Sequence, residues 1–292
     1  MQSILPKYLY GILGNPLGHS MSPALHNQAF TWLGYPAAYF SWEKSGEELE
    51  NFFRAVRSLP VSGLSVTIPH KESVIPFLDV LCPRAERAGA VNTVFWRDGR
   101  LMGDNSDVAG FLAPLRKYPR LPGSAIILGA GGVCRAALAG LRELGIGDIT
   151  VAARNPGKTN ALAKDFDCTV IPWDLREREA AEMGSALIIN ATPLGMRGSG
   201  QSQSPVSEAF WRKIAESGRD NLAYDLVYSP VSTVFLKQAT AAGVKGITGL
   251  DFFVAQAIEQ LRLWTEKPLP DDMASECRVL VVKLLGEQQG FV

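Results

Sequence analysis

The stretch Ala125-Ile-Ile-Leu-Gly-Ala-Gly-Gly-Val-Cys-Arg-Ala-Ala137 decides the fold class that the sequence predicts. Ala125 to Leu128 are small or aliphatic, as in a buried strand, and the Ala- and Leu-rich segment from Val133 to Leu144 predicts a helix. The glycines between them let a pyrophosphate come close to backbone N–H groups at the positive end of that helix. The stretch therefore predicts an α/β dinucleotide-binding unit. Cys134 stands where the G-x-G-x-x-G motif has its third glycine, so glycines that only end a packed strand are the alternative.

Length, charge and cysteine usage exclude several classes of protein. The 292 residues suit two domains, each with its own core. Lys and Arg total 29, as do Asp and Glu, so no net charge favours nucleic acid or an anionic membrane as a partner. Apolar runs such as Val279-Leu-Val-Val282 are too short to span a bilayer, and the first residues lack the pattern of a signal peptide. Scattered cysteines favour reduced thiols in a cytoplasmic protein, and with three histidines the sequence predicts no metal site.

Two serines precede the first predicted helix. Ser22 followed by Pro23 predicts a helix start, with Ser22 as the N-cap and Pro23 at the first helical position. A cap alone would explain Ser22, but Ser20 has no such structural role. Two hydroxyls beside a helix N-terminus are suited to holding a carboxylate.

The stretch Ser65-Val-Thr-Ile-Pro-His-Lys71 is the most informative part of the first half. Alternation places Ser65 and Thr67 on one face of a strand, and the segment from His70 to Leu81 predicts a helix. Lys71 would then lie in a first helical turn, where the macrodipole disfavours a cation. A charge in an unfavourable place indicates function. Without other evidence, a solvated lysine whose charge is offset by Glu72 is the favoured interpretation.

Further polar residues follow a predicted hairpin with its turn at Asp98-Gly99. The segment Gly103-Asp-Asn-Ser-Asp107 opens a helix predicted from Val108 to Lys117, and one of its last three residues must cap that helix. Three polar groups exceed what one cap needs, so the remaining ones are available to a substrate. Later, a helix predicted from Asp251 to Thr265 carries two glutamines on one face, for which a solvated surface is the usual explanation; they are Gln256 and Gln260.

The predicted nucleotide unit also indicates which dinucleotide it binds. Its second strand, Asp148 to Ala153, is followed by Arg154, with Lys158 four residues further on. A carboxylate there would bind the ribose 2′-hydroxyl of NAD, whereas a guanidinium binds a 2′-phosphate, so the sequence predicts NADP. Strands are also predicted at Cys168–Ile171, Ala186–Asn190 and Leu222–Asp225. Asn190 and Thr192 come at a strand end, on the edge where open parallel sheets bind ligands.

Seven short motifs occur in a fixed order along nearly the whole chain. They are Gly14-Asn-Pro-Leu-Gly-His-Ser-Met-Ser-Pro23, Ser65-Val-Thr-Ile-Pro-His-Lys71, Gly89-Ala-Val-Asn-Thr93, Gly103-Asp-Asn-Ser-Asp107, Gly129-Ala-Gly-Gly132, Asn190-Ala-Thr-Pro-Leu-Gly-Met196 and Val254-Ala-Gln256. Together they resemble the shikimate dehydrogenase family. The resemblance implies a two-domain α/β protein: an N-terminal substrate-binding domain with a mixed sheet, and a Rossmann-type NADP domain with a doubly wound parallel sheet. Residues 1–107, completed by C-terminal helices within 250–292, would form the first domain, and residues 108–249 the second.

The resemblance also implies an activity and roles for particular residues. The activity is the reversible, NADP-linked reduction of 3-dehydroshikimate to shikimate, a step of chorismate and aromatic amino acid biosynthesis. Lys71 and Asp107 match the catalytic pair. The positions that bind the substrate, a polyhydroxylated ring carboxylate, are matched by Ser20, Ser22, Ser65, Thr67, Asn92, Tyr228 and Gln256. The residues expected to bind the cofactor are Gly129, Ala130, Gly131, Gly132, Val133, Arg154, Lys158, Asn190, Thr192 and Gly249.

Departures from the family pattern leave alternatives open. The family usually has Asn at Ser65, Thr at Ser106, Gly or Glu at Asp251, and Met-Leu at Phe252-Phe253. Because Ser has one donor where Asn has two, quinate or an amino analogue of shikimate is an alternative substrate. A non-catalytic NADP(H) sensor on the same fold is the rival of another class, although a sensor needs no lysine–aspartate pair. A dehydrogenase of short hydroxy acids is a third alternative, but the sequence lacks the catalytic histidine with an acidic partner that such an enzyme needs. The sequence leaves a monomer or a homodimer open.

Overall fold

The structure is a computed structural model that describes residues 5–198 and 200–289; within this part, the side chains of Lys158 and of residues 287–289 are not described. The chain forms two compact units. The first consists of the chain up to Ala109 together with Val254–Gly286, and the second mainly of Gly110–Phe253. In the described chain, no helix is both long and apolar enough to cross a membrane.

The described elements alternate between strands and helices, as an α/β fold requires. The strands are β1 (Tyr8–Gly14), β2 (Ala37–Glu43), β3 (Val61–Val66), β4 (Val80–Leu81), β5 (Thr93–Arg97), β6 (Arg100–Asp104), β7 (Ser124–Leu128), β8 (Asp148–Ala153), β9 (Thr169–Pro172), β10 (Ala186–Asn190), β11 (Leu222–Asp225) and β12 (Lys245–Ile247). The helices are α1 (Ser22–Trp32), α2 (Leu49–Ser58), α3 (Pro83–Ala88), α4 (Ser106–Leu115), α5 (Gly132–Glu143), α6 (Pro156–Phe166), α7 (Arg176–Glu182), α8 (Glu208–Glu216), α9 (Val234–Ala241), α10 (Gly249–Thr265) and α11 (Met273–Gln289).

The first unit contains a mixed sheet whose described strands follow the order β2-β1-β3-β5-β6-β4. β1 pairs in parallel with β2 and β3, whereas β5 runs antiparallel to β3 and to β6. The β5–β6 hairpin turns at Asp98 and Gly99, whose φ angles are 50° and 70°. Two successive positive φ angles are those of a type I′ turn, so the predicted hairpin is confirmed.

The second unit contains a fully parallel sheet whose described strands follow the order β12-β11-β10-β7-β8-β9. Its two central strands, β7 and β10, are buried along their whole length. Helices that cover both faces of a parallel sheet explain why these strands are continuous apolar runs rather than alternating ones. From β7 the chain winds outward to β9 and then returns to β10 on the other side, which is the doubly wound arrangement that the sequence predicts.

The predicted helix from His70 to Leu81 is wrong. The chain there forms turns, a short 3-10 helix at Ile75–Phe77 and then strand β4. Pro76 cannot donate a backbone hydrogen bond inside a helix, and Val80 and Leu81 pair in parallel with β6 instead. Lys71 therefore lies in a turn and not in a first helical turn.

The predicted cap at Ser22 is also wrong. Helix α1 begins at Ser22 itself, and Met21 occupies the N-cap position. The Ser22 hydroxyl hydrogen-bonds the hydroxyl of Tyr39, a residue of β2, and so serves a tertiary contact. The Ser22 backbone N–H donates to Ser20 Oγ over 3.3 Å.

Candidate active site

In the first unit, the polar segments singled out in the sequence meet at one edge of the sheet. Ser65 lies opposite Thr93, and Thr93 lies opposite Asp104, so β3 and β6 end where β5 begins. The Val91 N–H donates to the Lys71 carbonyl over 2.7 Å, and the Asn92 N–H donates to the Asp104 carbonyl over 3.1 Å. Segments far apart in sequence are thus tied together by their backbones.

Lys71 and Asp107 form an ion pair at this edge. Their side chains are 13% and 5% exposed, so the pair is largely withdrawn from water. Asp107 is held by the first turn of α4, which Asn105 caps: its Oδ1 accepts from the Val108 N–H over 3.3 Å. Of the three candidate caps, Asn105 fills that role, and the carboxylate of Asp107 is left to the lysine.

Asn92 is buried beside this pair and fixes the loop that carries it. Its Oδ1 accepts from the Ser106 N–H over 2.6 Å, and its Nδ2 donates to Ser106 Oγ over 2.9 Å. The Thr93 hydroxyl also donates to Asn92 Oδ1, over 2.8 Å. Asn92 and Ser106 therefore lock the end of β6 onto the start of β5.

Ser65 and Gln260 belong to a buried chain of hydrogen bonds below the same edge. The Tyr39 hydroxyl donates to Ser65 Oγ over 2.6 Å, and Ser65 Oγ donates to Gln260 Oε1 over 3.0 Å. Gln260 Nε2 in turn donates to the Asn92 carbonyl and to Thr93 Oγ1, each over 3.2 Å. A solvated Gln260 is therefore wrong, and Gln256 is buried as well. Their spacing of four, which puts both glutamines on one face of the helix, was the available sequence indication.

His26 completes this chain and was missed by sequence reasoning. Its Nε2 lies 3.1 Å from Gln260 Oε1, an acceptor, so the imidazole donates there. The ring is fully buried and stacks on Tyr39 with 4.7 Å between ring centroids. Burial lowers the pKa of His26 to about 3 and raises that of the Tyr39 hydroxyl. Both side chains are thus uncharged at neutral pH.

The remaining substrate residues predicted in the first unit follow the ends of β1 and β3. Ser20 and Thr67 are half-buried, and Ser22 is buried beside Tyr39. The Thr67 N–H donates to the Leu13 carbonyl over 2.9 Å, which joins the two strand ends. Because these strands are parallel neighbours, their following segments lie on the same edge as Ser65 and Asn92.

In the second unit, the predicted cofactor residues lie at the carboxyl edge of the parallel sheet. Leu128, the last residue of β7, is opposite Asn190 of β10 and Ala152 of β8. The loop after β7 and the loop after β10 therefore flank the point where the winding reverses, which is where such sheets bind ligands.

Gly129 shows why this loop needs glycine. Its φ is +112°, and a Cβ there would lie 2.9 Å from the Ala191 carbonyl oxygen. After Gly131 the chain enters α5 at Gly132, so the free N–H groups of the helix lie next to the turn. Ala130 and Val133 are half-buried around it, and Arg154 is exposed just after β8. Lys158 is the one cofactor prediction whose side chain lies outside the described part of the chain.

Asn190 and Thr192 are joined to a buried carboxylate. Asn190 Oδ1 accepts from the Thr192 N–H and hydroxyl over 3.0 and 2.7 Å, and its Nδ2 donates to Asp225 Oδ1 over 3.0 Å. Asp225 also accepts from the Thr233 hydroxyl over 2.5 Å. Desolvation by burial raises the pKa of Asp225 to about 6, although hydrogen bonds from Thr233, Val227 and Asn190 act in the opposite direction. The side chain of Asn190 thus shapes the loop from within.

Two further predictions fall on the segment after β11 and the start of α10. The ring of Tyr228 stacks on Phe253 with 4.2 Å between centroids. A Cβ at Gly249 would lie 2.3 Å from the Val227 carbonyl oxygen, so glycine there allows close packing of α10 on this segment. Phe253, one of the departures from the family pattern, is thus in direct contact with Tyr228.

A doubly wound parallel sheet with a glycine cradle at its switch point defines a dinucleotide-binding α/β protein. Comparisons with known proteins give the family. Residues 12–94 match the shikimate dehydrogenase substrate binding domain. The chain is 47% identical to the shikimate dehydrogenase (NADP(+)) of Oleidesulfovibrio alaskensis over 97% of both chains, and 41% identical to that of Maridesulfovibrio salexigens over 94% of this chain and 98% of the relative.

The solved structures agree. A shikimate 5-dehydrogenase from Thermus thermophilus, in complex with NADP(H) and shikimate, superposes with a TM-score of 0.77 at 36% identity, covering 94% of this chain and 99% of that one. The chain belongs to the shikimate dehydrogenase family. The family resemblance and the fold class inferred from the sequence are thereby confirmed.

Proposed function

We propose that the protein is an NADP-dependent shikimate dehydrogenase, which reversibly reduces 3-dehydroshikimate to shikimate. The observation that carries this proposal is the shielded ion pair of Lys71 and Asp107 at the sheet edge where Asn92, Ser65 and Thr67 also lie. An ammonium group beside hydroxyl and amide groups suits a substrate whose ketone becomes an alcohol. The high identity to relatives named for this reaction supports the same assignment.

The first unit is proposed to bind the substrate and the second to bind NADP. The substrate carboxylate is assigned to Ser20 and Ser22, which precede and begin α1. The ring hydroxyls are assigned to the remaining predicted groups, which are Ser65, Thr67, Asn92 and Gln256. Tyr228 is assigned to the substrate on the family resemblance.

The residues at the edge of the second sheet fit a dinucleotide. The turn at Gly129 has no room for a Cβ, so a ligand can approach its backbone closely. Helix α5 begins at Gly132, and the backbone N–H groups of its first turn are available to a pyrophosphate. Arg154, which is exposed after β8, is proposed to bind the 2′-phosphate, and Lys158 is proposed to assist it. Asn190 orders the loop that contains Thr192. The proposed cofactor set is completed by Ala130, Gly131, Gly132, Val133, Thr192 and Gly249. When bound, NADPH supplies the hydride.

The protein's own contribution to the reaction is proton transfer and charge placement. Lys71 Nζ donates a proton to the oxygen that develops negative charge during reduction, and accepts it in the reverse direction. Asp107 fixes the ammonium and offsets the cost of holding a cation in a shielded place. Because Asn105 caps α4 and Ser106 is held by Asn92, the backbone that carries the Asp107 carboxylate is fixed beside the lysine.

Lys71→Met tests the assignment, with Lys44→Met as its matched control. Lys44 is paired with Glu48 in the same unit, so its loss also removes an ion pair. We expect Lys71→Met to lower kcat with shikimate by about 10²–10⁴-fold and to leave the KM for NADP unchanged. The control should keep normal activity. Near-normal turnover by Lys71→Met would remove Lys71 from the mechanism.

A substrate panel separates the alternatives. Shikimate, quinate and an aminated analogue are each offered with NADP and with NAD, and formation of the reduced cofactor is followed by absorbance. Preference for shikimate with NADP supports the proposal. Cofactor binding without turnover of any of the three identifies a sensor, and a higher kcat/KM for quinate or the amino analogue reassigns the substrate.

The protein is further proposed to act in the cytoplasm, as a monomer or a homodimer. All four cysteines lie in the described part of the chain and are free thiols, which suits a reducing compartment. The lysine–aspartate pair and the hydroxyl and amide groups assigned to the substrate come from one chain, which is compatible with either state. Light scattering after size-exclusion chromatography determines the oligomeric state.

A further inference from the structure

Arg84 is a largely buried cation that the proposed chemistry does not use. It lies in the first turn of α3, and its side chain is 26% exposed. Its Nε and Nη2 donate to the two carboxylate oxygens of Asp104 over 3.2 and 2.7 Å. Its Nη1 lies 2.7 Å from Glu259 Oε1 on α10. One guanidinium therefore joins α3, the end of β6 and α10.

Asp104 passes this restraint to the segment that carries Asp107. Its Oδ1 accepts from the Asn105 N–H over 2.7 Å, and its carbonyl accepts from the Asn92 N–H over 3.1 Å. Asn105 Nδ2 also donates to the Ala90 carbonyl over 2.8 Å. Through its carboxylate and its carbonyl, Asp104 thus holds the backbone segments from which Asp107 and Asn92 project.

Glu259 extends the restraint to helix α10. It follows Gln256 by three residues and directly precedes Gln260, so fixing its side chain fixes the rotation of the helix segment that carries both glutamines. Its side chain is 18% exposed and that of Asp104 is 5% exposed. Loss of the Arg84 guanidinium would leave the shielded carboxylates of Asp104 and Glu259 without their partner, which costs more than the loss of a surface ion pair.

We propose that Arg84 is a positioning residue of the active site, which aligns Asp107, Asn92 and Gln256 through Asp104 and Glu259. This inference rests on the roles given to those residues in the proposed function. A planar guanidinium can serve two carboxylates at once with fixed geometry, which a lysine cannot do. A displacement of a catalytic group by about 1 Å can cost about 10²-fold in rate.

The test compares Arg84→Lys with Arg57→Lys. Arg57 makes the same kind of bidentate pair, to Asp79, in the same unit, and this pair is more exposed than that of Arg84. We expect Arg84→Lys to lower kcat/KM for shikimate by about 10- to 100-fold, with the KM for NADP unchanged, whereas Arg57→Lys keeps normal kinetics. Thermal midpoints of the two variants show whether a general loss of stability explains the difference. Equal kinetics in the two variants would overturn the proposal.

Hydrogen exchange gives a readout that does not depend on activity. Arg84→Lys should speed exchange of the backbone amides of Asn92 and of residues 105–108, and Arg57→Lys should not. Unchanged protection in Arg84→Lys overturns the proposal, even if its activity falls. If Arg84→Lys fails to fold, Asp104→Asn replaces it, since it keeps an acceptor for the Asn105 N–H but weakens the pair. Lack of shikimate turnover by the wild type would contradict the proposed function, and the exchange comparison would still decide the role of Arg84.

Discussion

We expect the free energy of unfolding of Asp225→Asn, relative to that of the wild type, to increase as the pH rises. Asp225 is fully buried, and its Oδ1 accepts from the Val227 N–H and from Asn190 Nδ2, each over 3.0 Å. Its Oδ2 accepts from the Thr233 hydroxyl over 2.5 Å. Asparagine has nearly the same shape: its oxygen can keep the first two bonds, and its amide can donate to the threonine oxygen. The substitution therefore removes the charge and keeps the shape of the side chain. The Thr233 hydroxyl proton loses its acceptor, but this cost does not depend on pH.

The size of the effect follows from the pKa. Burial raises the pKa of Asp225 from 3.8 to about 6. An acid with a higher pKa in the folded state binds more protons there, so its contribution to stability falls as pH rises through the interval from 3.8 to about 6. At a pH where Asp225 is ionised in both states, this difference in pKa lowers the free energy of unfolding by about 3 kcal/mol. The stability of Asp225→Asn relative to the wild type should therefore increase by up to about 3 kcal/mol between pH 4 and pH 7.

Urea unfolding of both proteins at several pH values measures this difference. The pKa of His26 is lowered to about 3, so its contribution to stability falls as the pH is lowered. His26 is present in both proteins, so this contribution cancels in their difference. Asp148→Asn, at the exposed start of β8, controls for the change of net charge. A difference between Asp225→Asn and the wild type that stays constant with pH, or that falls as pH rises, would refute the reasoning.

Three further substitutions test separate parts of the structure. Gly129→Ala should destabilise the protein without cofactor by about 1–3 kcal/mol, because the φ of Gly129 is +112° and a Cβ there would meet a carbonyl oxygen. Gly131→Ala is the control, since a Cβ at Gly131 meets nothing within 4 Å, and equal unfolding midpoints of the two variants would contradict the prediction. Arg154→Asp should raise the KM for NADP and lower that for NAD, and unchanged values for both would count against the 2′-phosphate assignment. Ser65→Ala should cost about 1–3 kcal/mol in urea unfolding, because its buried tyrosine and glutamine partners lose a hydrogen bond; a stability equal to the wild type would show that they find other partners.

Local pattern was enough to predict the central strands of the second unit. The bounds predicted for β8, β10 and β11 are those of the structure. These strands are short and mostly apolar, so the information lies within a few neighbouring residues. The glycine turn after β7 was predictable for the same reason. Gly129 has a positive φ, a conformation that glycine adopts readily, so the residue type itself indicates the turn.

Lys71 shows where local pattern fails. The segment after it was predicted as a helix, and the charge in an unfavourable place was the argument for a function. The segment instead forms turns and pairs with β6, and the lysine charge is compensated by Asp107. The two residues do meet, but the helix-dipole argument for Lys71 does not hold. The opposite charge comes from a residue 36 positions away, which no local pattern of residues 70–81 contains.

The same limit explains why the polar chain below the site was missed. His26 in α1 and Gln260 in α10 are hydrogen-bonded although 234 positions separate them. Because burial keeps the imidazole neutral and Gln260 Oε1 accepts from it and from Ser65, α1 and α10 must pack together for these polar groups to be satisfied. Gln260 then supports Asn92 and Thr93 from below. The first unit therefore needs α10 as well as the N-terminal segments: without this helix, His26, Ser65 and the start of β5 would each lose a buried partner near the Lys71–Asp107 ion pair.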